Sequence, residues 1–256
     1  MTAGFGAALP VWAWAACGFL LGAVIGSFLA TLVIRWPQGR TVISGRSACD
    51  GCGRVLGIVD LLPLLGFLLR RGRCATCGVA INRRHPGIEL ACAGIGLVSF
   101  AVAPGVAGIV GAAFGWSLVA LGTLDAEHFW LPNPLVAALA LVGLAGGVAG
   151  VGPDLGARAI GGLAGFGVLA AIALGYRLLR GRIGMGGGDP KLLGAIGLTL
   201  GWQALPLLLL GAASTGLVAV ALRRLNGGEV RRDQEVPFGA LMALVSWPLW
   251  LIASVG

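Results

Sequence analysis

Two aspartates and two pairs of cysteines are the residues of this chain whose types and settings suit chemistry. Asp125 stands in Leu124-Asp125-Ala126-Glu127-His128-Phe129-Trp130-Leu131-Pro132-Asn133-Pro134, between two long apolar runs. Asp189 ends the stretch Gly184-Met185-Gly186-Gly187-Gly188 and is followed by Pro190 and Lys191, where the next apolar run opens. Charged side chains at membrane depth are costly and usually functional. Two carboxyl groups close enough to share a proton can hydrolyse a peptide: one activates water, and the other, protonated, polarises the scissile carbonyl. Gly186, Gly187 and Gly188 clear side chains from the path of an extended peptide, and Lys191 follows them. Each aspartate alone also has an ordinary reading. Asp189 before Pro190 suits a helix N-cap, and Asp125 suits a helix end paired with an arginine. Their shared depth on one face favours a dyad. A phosphate-binding loop is the competing reading of the glycines, but the spacing matches no phosphate motif and no parallel-sheet pattern surrounds it. His128, three residues after Asp125, shares its face if the helix continues, and reads as a polar interface residue.

Cys49-x-x-Cys52 and Cys74-x-x-Cys77 lie in the one long polar segment, residues 35–88. Two such pairs supply four thiolates for a tetrahedral ion, each pair bracketing a tight turn beside Gly51, Gly53 or Gly78. Two disulfides are the alternative. The charge pattern puts this segment in the cytoplasm, where disulfides are rare, so structural Zn2+ is the expectation. Between the pairs, Asp60 to Leu69 is apolar and reads as a helix lying on the bilayer, ended by Arg70, Arg71 and Arg73.

The elements that must position these groups are membrane helices. Of 256 residues, 57% are hydrophobic and 11% charged, less than half the charge of a soluble domain, and the mean hydropathy is +0.94. The 46 glycines suit helices whose backbones approach closely. Apolar runs give eight expected helices, near 11–34, 89–103, 106–124, 131–151, 156–176, 190–204, 206–222 and 238–254. The first run is too long for a signal-peptide core and reads as an uncleaved span. The net charge is +8, yet the arginines sit between apolar runs as the positive-inside rule predicts, which argues against nucleic acid as a partner. With eight spans all three arginine clusters fall on one side, leaving only Arg158 opposite. Asp154 and Arg158, four apart at the start of a span, read as a local pair. The expected fold class is therefore an all-α polytopic membrane protein of about eight transmembrane helices with a small cytoplasmic zinc-binding insert. Its parts are a first span at 1–34, the insert at 35–88 and a membrane core at 89–256. Both termini face outward, the aspartates lie on the cytoplasmic side of a bacterial inner membrane, and membrane lipids are partners. A proton-coupled transporter or channel could use Asp125 and Asp189 as relay groups, but their place at the membrane edge favours cleavage of a substrate presented there.

The ordered motifs resemble those of the bacterial type IV prepilin peptidases, membrane aspartyl proteases with a Gly-x-Gly-Asp signature. Gly26-Ser27-Phe28-Leu29 with Arg35-x-Pro37, the four cysteines, Asp125 with Pro132, Gly184 to Asp189 with Lys191, and Val236-Pro237-Phe238-Gly239 follow in the family's order across nearly the whole chain. Ala30 stands where the family usually has Asn. The resemblance implies removal of the basic leader of prepilins or pseudopilins, with Asp125 and Asp189 as the catalytic pair. It also implies N-methylation of the new terminus from S-adenosylmethionine, in a region that includes the insert. Glu89 matches a family glutamate and marks the methyl-transfer neighbourhood.

Overall fold

A computed structural model describes residues 9–42, 46–182, 185–227 and 236–255. The expectations resting on Gly184, Arg231 and Arg232 lie outside these residues. Ten α-helices and no strands form among the described residues. They are α1 (Val11–Arg35), α2 (Ile58–Leu61), α3 (Leu65–Leu69), α4 (Arg84–Val102), α5 (Val106–His128), α6 (Asn133–Val148), α7 (Leu155–Arg180), α8 (Gly188–Leu200), α9 (Leu205–Leu225) and α10 (Phe238–Val255). Each of the eight expected apolar helices has its counterpart. Six of these helices, α1, α4, α5, α7, α9 and α10, are long and apolar enough to cross a membrane. The other two are shorter: α6 has 16 residues and α8 has 13. Gly105, at φ 82°, separates α4 from α5, and Gly201, at φ 78°, ends α8.

The chain divides into two compact units, Met1–Gly108 and Ile109–Gly256. In the first, α1 packs along α4 through glycines spaced four apart. A Cβ on Gly18 would collide with the Gly96 carbonyl, one on Gly22 with the Cys92 carbonyl, and one on Gly26 with the Glu89 backbone. Spacing of four puts Gly18, Gly22 and Gly26 on one helix face, so the two backbones meet with no side chain between them. The insert leaves α1 through Arg35, whose Nη2 donates to the Ala48 carbonyl at 3.1 Å and reaches Asp50 at 3.4 Å. The apolar stretch expected as one helix is broken. Leu62 is extended, Pro63 follows, and Leu64 sits at φ 60° before α3 begins. Asp60 ties the two short helices together through Arg54 at 2.7 Å and Arg70 at 2.8 Å.

In the second unit α8 lies against α6 and α7, again through glycine. Gly161 and Gly197 face each other's carbonyls, and Gly143 rests on the carbonyl of Leu198. Arg158 is only 1% exposed. It does not pair with Asp154, whose Oδ1 instead caps α7 by accepting the Ala157 N–H at 2.9 Å. The guanidinium donates to five backbone carbonyls: Pro153 and Gly143 at 2.8 Å, Leu198 and Thr199 at 2.9 Å, and Val151. These carbonyls lie toward the ends of α6 and α8 and in the turn between α6 and α7, where helix dipoles are negative. One cation thus fastens α8 to its two neighbours. Replacing Arg158 with Ala strips donors from several buried carbonyls and should destabilise the protein by about 2–4 kcal/mol. Thermal unfolding in detergent micelles measures this, and Arg158→Lys should recover only part of the loss.

Candidate active site and metal centre

Asp125 occupies the last turn of α5 and is 5% exposed. Its Oδ2 accepts the Ala240 N–H at 2.8 Å. This donor belongs to the first turn of α10, whose unpaired N–H groups suit an anion. The approach requires glycine: a Cβ on Gly239 would stand 2.9 Å from Oδ2 and 3.0 Å from Leu131 Cδ1. Asp189 is the second residue of α8, followed by Pro190, and is 8% exposed. Asp125 lies within coulombic range of Asp189, so the fold places the two buried carboxyl groups in one neighbourhood.

Leu131 stands at the junction. It packs against Gly239, and a Cβ on Gly188 would lie 2.8 Å from its own Cβ. Lys191 points elsewhere: its Nζ donates to Asn133 Oδ1 at 2.9 Å, joining the first turn of α8 to the first residue of α6. A Cβ on Gly186 or Gly187 would meet nothing within 4 Å, so the loop ahead of Asp189 borders open space. His128 lies 3.9 Å from Glu127, with which it can pair when protonated. Sequence reasoning missed Ala240 and Leu131 as site partners and gave Gly239 no role. Pro237, just ahead of a helix that carries Gly in its first turn, was the available signal for a helix start shaped to meet another group.

The first unit holds the other two sets. The sulfurs of Cys49, Cys52, Cys74 and Cys77 all lie within 4.8 Å of one another, and those of Cys49 and Cys77 are 3.9 Å apart. Tetrahedral Zn–S bonds of about 2.3 Å place sulfurs about 3.8 Å apart, so the set matches such an ion. Two hairpins of the same design present them. Cys49 N–H donates to the Arg54 carbonyl at 2.8 Å and Gly53 N–H to the Cys49 carbonyl at 2.9 Å; Cys74, Val79 and Gly78 repeat the pattern at 2.9 and 3.0 Å. Gly53 and Gly78 turn these hairpins at φ 70° and 71°, where side chains are strained. The backbone N–H groups of Cys77 and Thr76 hold the Cys74 thiol down at about 6. Despite the N–H of Val79, desolvation and the neighbouring sulfurs push Cys77 up to about 11. Sulfurs crowded this way repel as thiolates unless a cation sits among them, and the donor set fits a soft tetrahedral metal.

Glu89 lies inside α4, 6% exposed. Its Oε2 accepts the Leu64 N–H at 2.8 Å, and its backbone rests against Gly26 of α1. The glutamate thus joins α1, α4 and the bend of the insert.

Comparison with known proteins agrees with this division. Residues 20–103 match the Bacterial Peptidase A24 N-terminal domain, and residues 112–221 match the Type IV leader peptidase family. A prepilin leader peptidase/N-methyltransferase of Burkholderia pseudomallei (strain 1026b) is 36% identical, covering 93% of this chain and 85% of that protein. Proteins of the same name from Aeromonas salmonicida (strain A449) and Pseudomonas aeruginosa are each 32% identical over 92% of this chain, and the matches cover 90% and 89% of those proteins. No solved structure matches. With both family regions present in order and such similarity along nearly its whole length, the chain belongs to the type IV leader peptidase family.

Proposed function

We propose that this protein is a membrane-embedded aspartyl endopeptidase that removes the leader from type IV prepilins or pseudopilins, and that N-methylation of the new terminus follows. The observation that carries the peptidase reading is the buried pair Asp125 and Asp189, each on a helix end and within electrostatic reach of the other. Two such carboxyl groups share a proton. The ionised one takes a proton from water as the water attacks the scissile carbonyl, while the protonated one donates to the carbonyl oxygen; the first then passes the proton from water to the leaving nitrogen, and the second recovers its own as the tetrahedral intermediate collapses. The N–H of Ala240 and the close approach of Gly239 fix the orientation of Asp125. Leu131 and Gly188 set where the start of α8 lies beside it. The open side of Gly186 and Gly187 leaves room for the substrate backbone, and Lys191 anchors the loop's far end through Asn133.

The arginine clusters support placing the insert and the aspartates on the cytoplasmic side of the inner membrane, with both termini outside. Cys49, Cys52, Cys74 and Cys77 hold Zn2+, which gives an insert too small for its own core a fixed fold. A closed four-thiolate site has no open position for water, so this metal is structural. S-adenosylmethionine supplies the methyl group for the second reaction. Glu89 shapes that neighbourhood, but with Oε2 committed to Leu64 it forms no cradle for the donor by itself.

Cleavage of a prepilin-like substrate by the purified full-length protein tests the dyad. Asp125→Ala and Asp189→Ala should each lower kcat by about a thousandfold or more in protein that still unfolds cooperatively. Wild-type turnover in either variant removes that residue from the pair. Gly239→Ala moves the Asp125 carboxylate without removing it and should lower kcat about tenfold to a hundredfold at similar KM. Elemental analysis should find one zinc per chain. Cys74→Ala should lose it and expose the insert to protease, while a metal-free wild type that resists protease equally would remove the metal from the folding of the insert.

A further inference from the structure

Between the two cysteine hairpins, α2 and α3 expose several large apolar side chains. Ile58 is 83% exposed, Leu65 55%, Leu68 66% and Leu69 65%. Exposure of this kind on a small polar segment marks a contact surface.

Its depth follows from Glu89. The helix α4 has 19 residues, about 28 Å at 1.5 Å per residue. Crossing about 30 Å of hydrocarbon takes all of it. Glu89 lies five residues, about 7 Å, inside its start. Gly26, which rests against the Glu89 backbone, lies nine residues, about 13 Å, inside the end of α1. The N–H of Leu64 is 2.8 Å from the Glu89 carboxylate, so the bend between α2 and α3 sits at that depth, below the ends of the helices that flank the insert.

The bend is built for such a place. Non-helical backbone in hydrocarbon is tolerated only where its polar groups have partners. Pro63 has no N–H to satisfy. The carbonyls of Leu62, Pro63 and Leu64 accept from Gly66 at 2.7 Å, Leu65 at 2.6 Å and Leu68 at 3.0 Å. Leu64 N–H, a donor within the bend, meets a buried carboxylate. Polar groups gather instead at the base. Asp60 holds Arg54 and Arg70 there, and Arg71 and Arg73 are exposed beside them.

We propose that residues 58–69 form a re-entrant wedge embedded in the leaflet on the insert's side, with anionic phospholipid as its partner. Acyl chains cover Ile58, Leu65, Leu68 and Leu69, and Arg71 and Arg73 meet the phosphates, as cationic residues flanking an interfacial segment do. Glu89 is the pin that holds the wedge at depth. This requires only that α4 crosses the membrane, and does not rest on the peptidase reading.

The test uses full-length protein in nanodiscs of phosphatidylcholine and phosphatidylglycerol. The photo-crosslinking residue p-benzoylphenylalanine replaces Ile58, Leu68 or, as a control, Thr76, an exposed position between the second pair of cysteines. After irradiation, intact-mass spectra should show phospholipid adducts at 58 and 68, about tenfold above those at 76. Phosphatidylglycerol should be favoured, and Arg71→Gln with Arg73→Gln should remove the preference. Glu89→Leu should lower the adduct yield at 68 several-fold, and Glu89→Gln, which keeps an acceptor, should preserve it. Absence of lipid adducts at 58 and 68, or cross-links there to a second copy of the chain, overturns the wedge. Equal labelling of the two lipids overturns the anionic partner, and an unchanged yield in Glu89→Leu overturns the pin.

Discussion

A charged side chain buried in a membrane protein must find its partners within the protein. In this chain the partners of three such groups include peptide groups. Arg158 is held by carbonyls, Asp125 by the N–H of Ala240 and Glu89 by the N–H of Leu64. Most of these partners lie where a helix begins, ends or bends, because there the backbone has donors or acceptors to spare. That constraint decides where the charges of this protein can lie. It also makes each of them a joint between elements.

The joints work because the helices are close. Glycine faces glycine where α7 meets α8, and glycine meets backbone where α1 meets α4. In lipid there is little hydrophobic drive between apolar helices, so contact of this kind and a few polar fastenings must do the work of a core. Close approach brings carbonyls of α6 and α8 within reach of one guanidinium. It also sets Gly26 of α1 against the backbone of Glu89. Packing by absence of side chains and bonding by backbone are therefore parts of one arrangement.

Much of this was legible in the sequence, for physical reasons. Long apolar runs must be helices in a bilayer, and the eight expected helices formed within a few residues of their expected bounds. The Cys-x-x-Cys pairs carry their turn chemistry locally, and they converge. What could not be read depends on distant atoms. Arg158 looked like the partner of Asp154, because sequence spacing shows a neighbour four residues away but not a carbonyl forty residues on. The insert's apolar stretch looked like one helix, since periodicity does not show that Leu64 turns to meet a carboxylate 25 residues later. The four-residue spacing of Gly18, Gly22 and Gly26 was visible in the chain, but its partner surface on α4 was not.

Leu131 carries a consequence for how this site varies among relatives. One side chain fills the space that two absent side chains leave at Gly188 and Gly239, and those glycines precede or meet the two carboxylates. Enlarging either glycine demands a smaller residue at 131, and shrinking 131 leaves a void that loosens both aspartates at once. The three positions form an epistatic set spread over 109 residues of chain, so sequences that drift at one of them should be found to have drifted at the others.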